Sequence, residues 1–273
     1  MINGINSREM ILEILLEIEE GEHSHVAIRN ALSKYQFLPK QDRAFITRVC
    51  EGTLEYRIQI DYIINSFSKV TVDKMKPAIR EILRSAVYQL KYMDSVPDSA
   101  VCNEAVKLAQ RKGFYNLKPF VNGVLRTIAR EMDQVRFPQK EDDLLKYLSV
   151  KYSMPEVLVT RWLEAYGEET TEKILADFLT EHPLTIRCRT YLNSKEEIVK
   201  SLESQGVHVA PAPYLPYAYS ISEFNHILAL DAFIKGKIVV QDVSSMLVAE
   251  VADPKKGDYV IDVCAAPGGK SLH

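Results

Sequence analysis

The 273-residue chain is 47% apolar and 26% charged, with 11 glycines and 12 prolines; this ordinary globular composition excludes intrinsic disorder, collagen-like repeats and a small disulfide scaffold. No apolar run approaches the ~20 residues of a membrane span, and Met1–Asn6 lacks the basic and apolar regions of an export signal, so a cytoplasmic protein with no membrane partner is expected. The net charge of −3 argues against a protein coated in nucleic acid, and at roughly 150 residues per domain the length allows about two domains.

Residues 1–135 read as helix after helix. Met10, Ile11, Ile14, Leu15 and Ile18 form one apolar stripe, with Ser7 as the predicted N-cap. Pro39 opens a second long stretch in which Phe45, Ile46, Val49 and Leu54 share a face. Pro77 suits a first helical turn, and Ile79, Ile82, Leu83, Ala86, Val87 and Leu90 continue its period. Val101, Ala105, Val106, Leu108 and Ala109 mark another helix, which Gly113 closes. Phe120, Val121, Val124, Leu125 and Ile128 mark the last. The pattern predicts a compact all-helical domain.

After Arg136-Phe-Pro138 and an acidic linker come helices near 144–150, 155–166 and 169–180, and Glu181-His-Pro183 breaks the pattern. Leu184–Arg189 alternates as a strand, Glu196–Gln205 reads as a helix ended by Gly206, and Val207–Ala210 as a strand; Pro211, Pro213 and Pro216 mark a loop. Residues 140–235 are therefore predicted to form a small α+β connecting domain. From Gly236 onward, Lys237–Gln241 is strand-like, Ser244–Val251 helical and Pro254–Asp258 a turn. The apolar run Tyr259–Cys264, rich in β-branched residues, reads as a strand that leads straight into Ala265-Ala-Pro-Gly-Gly-Lys-Ser271. A strand, a tight glycine turn and a helix start near Lys270 is how open α/β sheets hold nucleotide-type cofactors.

Charge is unevenly distributed. Residues 69–130 carry 12 basic and 5 acidic side chains, a net of +7, against −3 for residues 1–68 and −7 for residues 131–273. Such a local excess is either a phosphate-binding face or a solvated helical surface. The four cysteines, Cys50, Cys102, Cys188 and Cys264, show no CxxC spacing and the six histidines no HExxH. No metal is expected, and the thiols are predicted to be reduced and buried.

One motif carries chemistry. Gly268 and Gly269 allow positive φ and close approach of a ligand, and a following helix start favours an anion. Gly269-Lys270-Ser271 fits the tail of a P-loop, but the first glycine of that motif would fall at Cys264; Pro267 stands where a dinucleotide fingerprint needs glycine. The whole string Asp262-Val-Cys-Ala-Ala-Pro-Gly-Gly-Lys270 resembles motif I of S-adenosylmethionine-dependent RNA cytosine-C5 methyltransferases, and Val240-Gln-Asp-Val-Ser-Ser245 resembles the lead-in to that domain. Asn103–Ala109 and Phe120–Arg126 are similar to segments of the antitermination factor NusB, an all-helical RNA-binding fold. Together they resemble the bacterial 16S rRNA cytosine-C5 methyltransferases of the Sun/RsmB group.

The resemblance implies a multidomain chain: a NusB-like all-helical RNA-binding domain over 1–135, the α+β domain over 140–235, and the beginning of an α/β Rossmann-like methyltransferase domain over 236–273. It implies that Cys264, Ala265, Ala266, Pro267, Gly268, Gly269 and Lys270 bind S-adenosylmethionine, with Asp262 ordering the loop. It also implies that 16S rRNA is the partner, met in the basic stretch by Arg111, Lys112, Lys118, Arg126 and Arg130; a tRNA cytosine remains an alternative substrate. The family's nucleophile is a cysteine in a Thr-Cys motif, with another in a Pro-Cys motif, and none of the four cysteines here has either context. The catalytic cysteine and the ribose-gripping acid are therefore expected beyond His273. The chain then reads as part of a longer enzyme that alone binds cofactor weakly and does not turn over, with Tyr259–Cys264, left without parallel neighbours, poorly protected or misplaced. Two other readings are a non-catalytic NusB-type RNA- or transcription-factor-binding protein and a P-loop nucleotide hydrolase.

Overall fold

The computed structural model describes residues 6–35, 38–180, 182–224 and 226–273. It divides into two compact units, Met1–Leu179 and Thr180–His273. The division falls at the predicted break, of which Glu181 lies outside the described residues.

The first unit is helical throughout the described residues: α1 (Ser7–Glu19), α2 (Ser24–Lys34), α3 (Lys40–Glu55), α4 (Arg57–Phe67), α5 (Pro77–Tyr92), α6 (Asp98–Arg111), α7 (Lys118–Glu131), α8 (Leu144–Lys151) and α9 (Glu156–Phe178). The N-cap of α1 is Asn6, not Ser7: the Asn6 side chain accepts a hydrogen bond from the Arg8 N–H at 2.9 Å, so the helix begins one residue earlier in register. Pro77 opens α5 as predicted, and Gly113 ends α6 at φ +86°. α5 is the hub, packing against α1, α3, α4, α6 and α7. Its Ile79, Ile82, Leu83 and Val87 are buried with Ile11, Leu15, Ile46, Ile60, Ile63 and Leu125 from those neighbours, each such side chain contributing ~1.5–3 kcal/mol.

A helix buried on several sides must also bury polar groups, and α5 does so in pairs. The Arg84 guanidinium clamps Asp61 of α4 at 2.7 and 2.6 Å and reaches Glu81 at 2.6 Å. Burial of Glu81 raises its pKa, opposed by the neighbouring Arg84 and Arg80.

The sequence reading grouped the helices beyond residue 140 with the α+β segment; in the structure they fall in the first unit. α8 packs on α4, where the Gln59 carboxamide donates to the Val150 and Lys151 carbonyls, both at 3.1 Å. The two helices predicted at 155–166 and 169–180 are α9, broken at Gly167 with φ 74° and ψ 174°.

The second unit runs β1 (Leu184–Cys188), α10 (Lys195–Glu203), β2 (His208–Pro211), β3 (Ala218–Ser222), α11 (Asp231–Ile234), β4 (Ile238–Val240) and α12 (Val243–Ala252). The strands form one antiparallel sheet in the order β2-β3-β1-β4, a split βαβ arrangement. Period two sorts the two faces. Ile186, Cys188, Ile221 and Ile238 are buried with Ile198 and Leu202 of α10 and Ala232 of α11. On the opposite face Ala218 is buried with Leu215 and with Met246 of α12.

Three predictions differ. β3 lies where only a loop was expected, because the prolines end at Pro216 and leave Ala218–Ser222 free to donate to the ladder. β4 belongs to this same sheet rather than to a new one. The strand predicted at Tyr259–Cys264 does not form: Tyr259 is 91% and Val263 89% exposed. The α/β beginning expected from the sequence is thus not built, since a β-branched run becomes a strand only beside a neighbour, and none among the described residues pairs with it.

Candidate functional site

The string that carries the chemistry forms an exposed loop held at four points. Asp262 accepts from the Cys264 N–H at 3.0 Å and from the Ser271 hydroxyl, closing the loop on itself. The Gln241 carboxamide donates to the Gly269 carbonyl at 2.8 Å, and the Arg187 guanidinium to the Leu272 carbonyl at 3.2 Å. The Tyr217 hydroxyl lies 2.8 Å from His273 Nε2.

Gly268 takes φ +97°, and a Cβ there would press on Leu272 Cδ1 at 3.0 Å; a Cβ on Gly269 would meet open space. The first glycine is required by the turn and the second leaves the backbone bare. The predicted helix start is a single turn, with Leu272 N–H donating to the Gly268 carbonyl at 2.9 Å. The N–H groups of Ala265, Ala266, Gly268, Gly269 and Lys270 have no hydrogen-bond partner among the described residues. A row of free donors beside the Lys270 ammonium fits an anionic group such as a carboxylate.

Of the thiols, Cys50, Cys102 and Cys188 are buried and Cys264 is exposed, all four free. The expectation of four buried thiols fails at Cys264 because its run leaves the core. Burial pushes the Cys188 thiol up to about 11 and the Cys50 thiol higher still. No cluster of metal-ligating side chains occurs among the described residues, and no helix described is long and apolar enough to cross a membrane.

The basic residues singled out from the sequence divide into two kinds. Lys112 is committed to Glu9 and Glu13, both at 3.0 Å, Arg130 to Glu131 at 2.6 Å, and Arg126 donates to Asn103 at 3.1 Å. Arg111, at the end of α6, and Lys118, at the start of α7, have no ion-pair partner among the described residues. Between them Phe114 carries the Lys76 ammonium over its ring at 5.4 Å, and Tyr115 is 61% exposed.

Sequence reasoning passed over Arg187 and saw Gln241 only as part of a lead-in. A strand's non-core face ordinarily meets solvent, so a lone arginine there gives no signal, yet Arg187 is 6% and Gln241 7% exposed.

Fold and site define a class: a helical unit of NusB type followed by a four-stranded ferredoxin-like unit that leads into a glycine loop. The NusB family matches residues 5–130, and the RsmF/B-like methyltransferase ferredoxin-like domain matches residues 154–227. The chain is 34% identical over 97% of its length to the probable ribosomal RNA small subunit methyltransferase B of Bacillus subtilis strain 168, and 31% identical over 98% to that of Synechocystis sp. strain PCC 6803. The crystal structure of PH0851 superposes with a TM-score of 0.70 over 98% of this chain and 60% of that one, at 26% identity. The chain thus carries a NusB-family unit and an RsmF/B-like ferredoxin-like unit, and over nearly its whole length it is similar to the ribosomal RNA small subunit methyltransferase B proteins, the Sun/RsmB group. It spans about three fifths of the length of these relatives, 59% and 60%.

Proposed function

We propose that this chain serves an enzyme that transfers a methyl group from S-adenosylmethionine to C5 of a cytosine in 16S rRNA. The observation that carries the reading is the 264–270 loop with its free backbone donors, which follows the NusB and ferredoxin-like units in chain order. Cys264, Ala265, Ala266, Pro267, Gly268, Gly269 and Lys270 hold the cofactor, chiefly through N–H groups and through the bare backbone at Gly269. When bound, the cofactor supplies an electrophilic methyl group. The division into an RNA-binding part over 1–135, a connecting part over 140–235 and the start of a methyltransferase part over 236–273 is part of the same proposal as an assignment of roles, although by packing the helices between 140 and 179 go with the first unit and β4 with the ferredoxin-like sheet; so is a cytoplasmic place of work.

C5 of cytosine is a weak nucleophile until a thiolate adds at C6, and a base must later take the C5 proton before the thiol leaves. None of this chain's cysteines suits that role. Cys50, Cys102 and Cys188 are buried, and Cys264 lies within the cofactor loop. The chain's own residues therefore bind and orient: the loop holds the cofactor, and Arg111 and Lys118, the free cations flanking Phe114 and Tyr115, meet rRNA phosphate, with Lys112, Arg126 and Arg130 nearby in sequence.

The test is methyl transfer from labelled S-adenosylmethionine to unmodified 16S rRNA, by this 273-residue chain and by the product of the open reading frame continued past His273. Label at C5 of cytosine with the longer protein alone supports the reading. Absence of label on both rRNA and tRNA with the longer protein overturns it in favour of a non-catalytic NusB-type binding protein.

A further inference from the structure

Arg187 stands at the centre of the sheet, on β1, opposite Ala218 of β3 and Val239 of β4. This is the face that packs on α12, away from the apolar cluster of Ile186 and Cys188. The residue is 6% exposed. It makes no ion pair among the described residues, and the strongest charge acting on it is another cation, Arg189. Burying a guanidinium without a carboxylate is unfavourable by several kcal/mol, so packing alone gives no reason for arginine here. The one hydrogen bond its side chain makes among the described residues runs to the Leu272 carbonyl at 3.2 Å, and its Nε is buried without a partner.

Gln241 repeats the pattern one strand away. Its N–H extends the β4 ladder to the Thr185 carbonyl at 3.1 Å, which fixes its backbone on the sheet. Its buried carboxamide donates one N–H to the Gly269 carbonyl at 2.8 Å and leaves Oε1 unpartnered. Two buried polar side chains, each incompletely satisfied, thus reach from the ferredoxin-like sheet to carbonyls of one exposed loop. A peptide unit whose carbonyl is held has its orientation set, and with it that of the N–H on the following residue. The Gly269 carbonyl shares its peptide plane with the Lys270 N–H, one of the free donors.

We propose that Arg187 and Gln241 are positioning residues for the cofactor loop, tying it to the ferredoxin-like sheet so that its free N–H groups stay arrayed for the carboxylate of S-adenosylmethionine. The inference rests on the cofactor reading above. It makes the connecting domain part of the cofactor site rather than a spacer, because the sheet supplies the fixed end of the tether.

The experiment compares the full chain with Arg187→Met, Arg187→Lys and Gln241→Ala, reading amide hydrogen exchange residue by residue and the dissociation constant for S-adenosylmethionine. Arg187→Met and Gln241→Ala should each speed exchange at the hydrogen-bonded Leu272 and His273 amides by about tenfold and weaken the cofactor by about the same factor. Exchange at Ile186 and Ala218 should not change. Arg187→Lys, which keeps a donor in reach of Leu272, should restore most of both losses. Unchanged loop exchange in Arg187→Met and Gln241→Ala overturns the proposal, and so does an equal loss of protection across the sheet, which marks a role in packing only. Should the unaltered chain bind no cofactor at all, the cofactor reading falls, and the exchange data still decide the tether.

Discussion

Asp262 and Ser271 are hydrogen-bonded across the eight residues that separate them: the Asp262 carboxylate takes the Ser271 hydroxyl on one oxygen and the Cys264 N–H on the other, at 3.0 Å. The glycine loop is thereby closed by its own side chains. Each such bond contributes ~1 kcal/mol when its partner is charged and partly solvated. Replacing Asp262 by Ala removes both acceptors from an exposed position, so the thermal midpoint should stay within a degree or two, whereas affinity for S-adenosylmethionine should drop about fivefold to tenfold. Calorimetric titration of the variant beside the parent checks both halves of the statement. Equal affinities would show that the loop keeps its shape without the carboxylate.

The thiols offer a second readout of the same loop. Only Cys264 is exposed, while burial raises the Cys50, Cys102 and Cys188 thiols, and the thiolate is the form that reacts. Native alkylation with iodoacetamide should therefore modify one cysteine of the four, identified by peptide mass, with the others following only on unfolding. S-adenosylmethionine at saturating concentration should slow that single event. Alkylation of Cys188 at a comparable rate would mean that the sheet opens far more readily than its burial implies.

How much of this could be read beforehand depends on what holds each element. α1, α5, α6 and α7 were legible because one apolar stripe faces one core, and Pro77 and Gly113 mark ends whose backbone angles those residues favour. The kink at Gly167 was legible as a gap between two helices. α2 and α4 gave no separate signal beyond the general helical texture, because their stripes are short and merge with their neighbours. Tyr259–Cys264 was legible only in part: its β-branched apolar run suggested a strand that does not form, while the lack of parallel neighbours rightly foretold poor protection, because β-branching describes a surface awaiting a partner. The loop residues 264–270 were named from sequence, since glycines and their spacing are local properties. Arg187 and Gln241 were not, because their relation to the loop is made by pairing β1 with β3 and β4, which no local pattern states.

Close packing in the helical unit yields a sharp stability prediction. The Tyr88 ring of α5 fills the space beside Gly52 of α3, and a Cβ built on Gly52 overlaps the hydroxyl end of that ring. Gly52→Ala would ordinarily favour a helix by ~1 kcal/mol. Here it should destabilise by about 1–3 kcal/mol, because the Tyr88 ring is buried and stands beside Tyr56 and Tyr92. Urea unfolding should show a lower midpoint with an unchanged slope. A stabilised Gly52→Ala variant would mean that Tyr88 swings aside at little cost.

Acid should act on the first unit through Glu172. Hydrogen bonds from Lys151 at 2.9 Å, Lys140 at 3.2 Å and the Tyr152 hydroxyl at 3.1 Å hold its carboxyl down at about 2 from the usual 4.5, against the opposing effect of partial burial. A carboxyl lowered on folding stabilises the folded state above its unfolded value and loses that contribution as pH falls through the folded one. The contribution is therefore complete near pH 6 and fades between about 4.5 and 2. With its side chain 24% exposed, it amounts to about 1 kcal/mol. Glu172→Gln should lower stability at pH 6 and narrow its difference from the parent at pH 3. A difference that stays constant between the two pH values would assign the loss to packing around Tyr147 and Tyr152 instead of to charge.

Ion pairing on the folded surface ranks the basic residues that composition treated alike. A cation already neutralised by protein carboxylates releases few counterions when it meets phosphate, whereas a free one adds nearly one unit to the salt dependence of binding. Arg111 and Lys118 have no ion-pair partner among the described residues, and Lys112 lies against both Glu9 and Glu13 at 3.0 Å. Arg111→Ala and Lys118→Ala should each weaken binding to 16S rRNA at low salt and each reduce the slope of log affinity against log salt by about one. Lys112→Ala should leave that slope nearly unchanged and act mainly by releasing α1 from the end of α6. Filter binding of the full chain between 50 and 200 mM salt, roughly the range over which phosphate contacts dominate, separates the two groups. A larger slope change for Lys112 than for Lys118 would place the RNA on the α1 side of that corner and overturn the ranking.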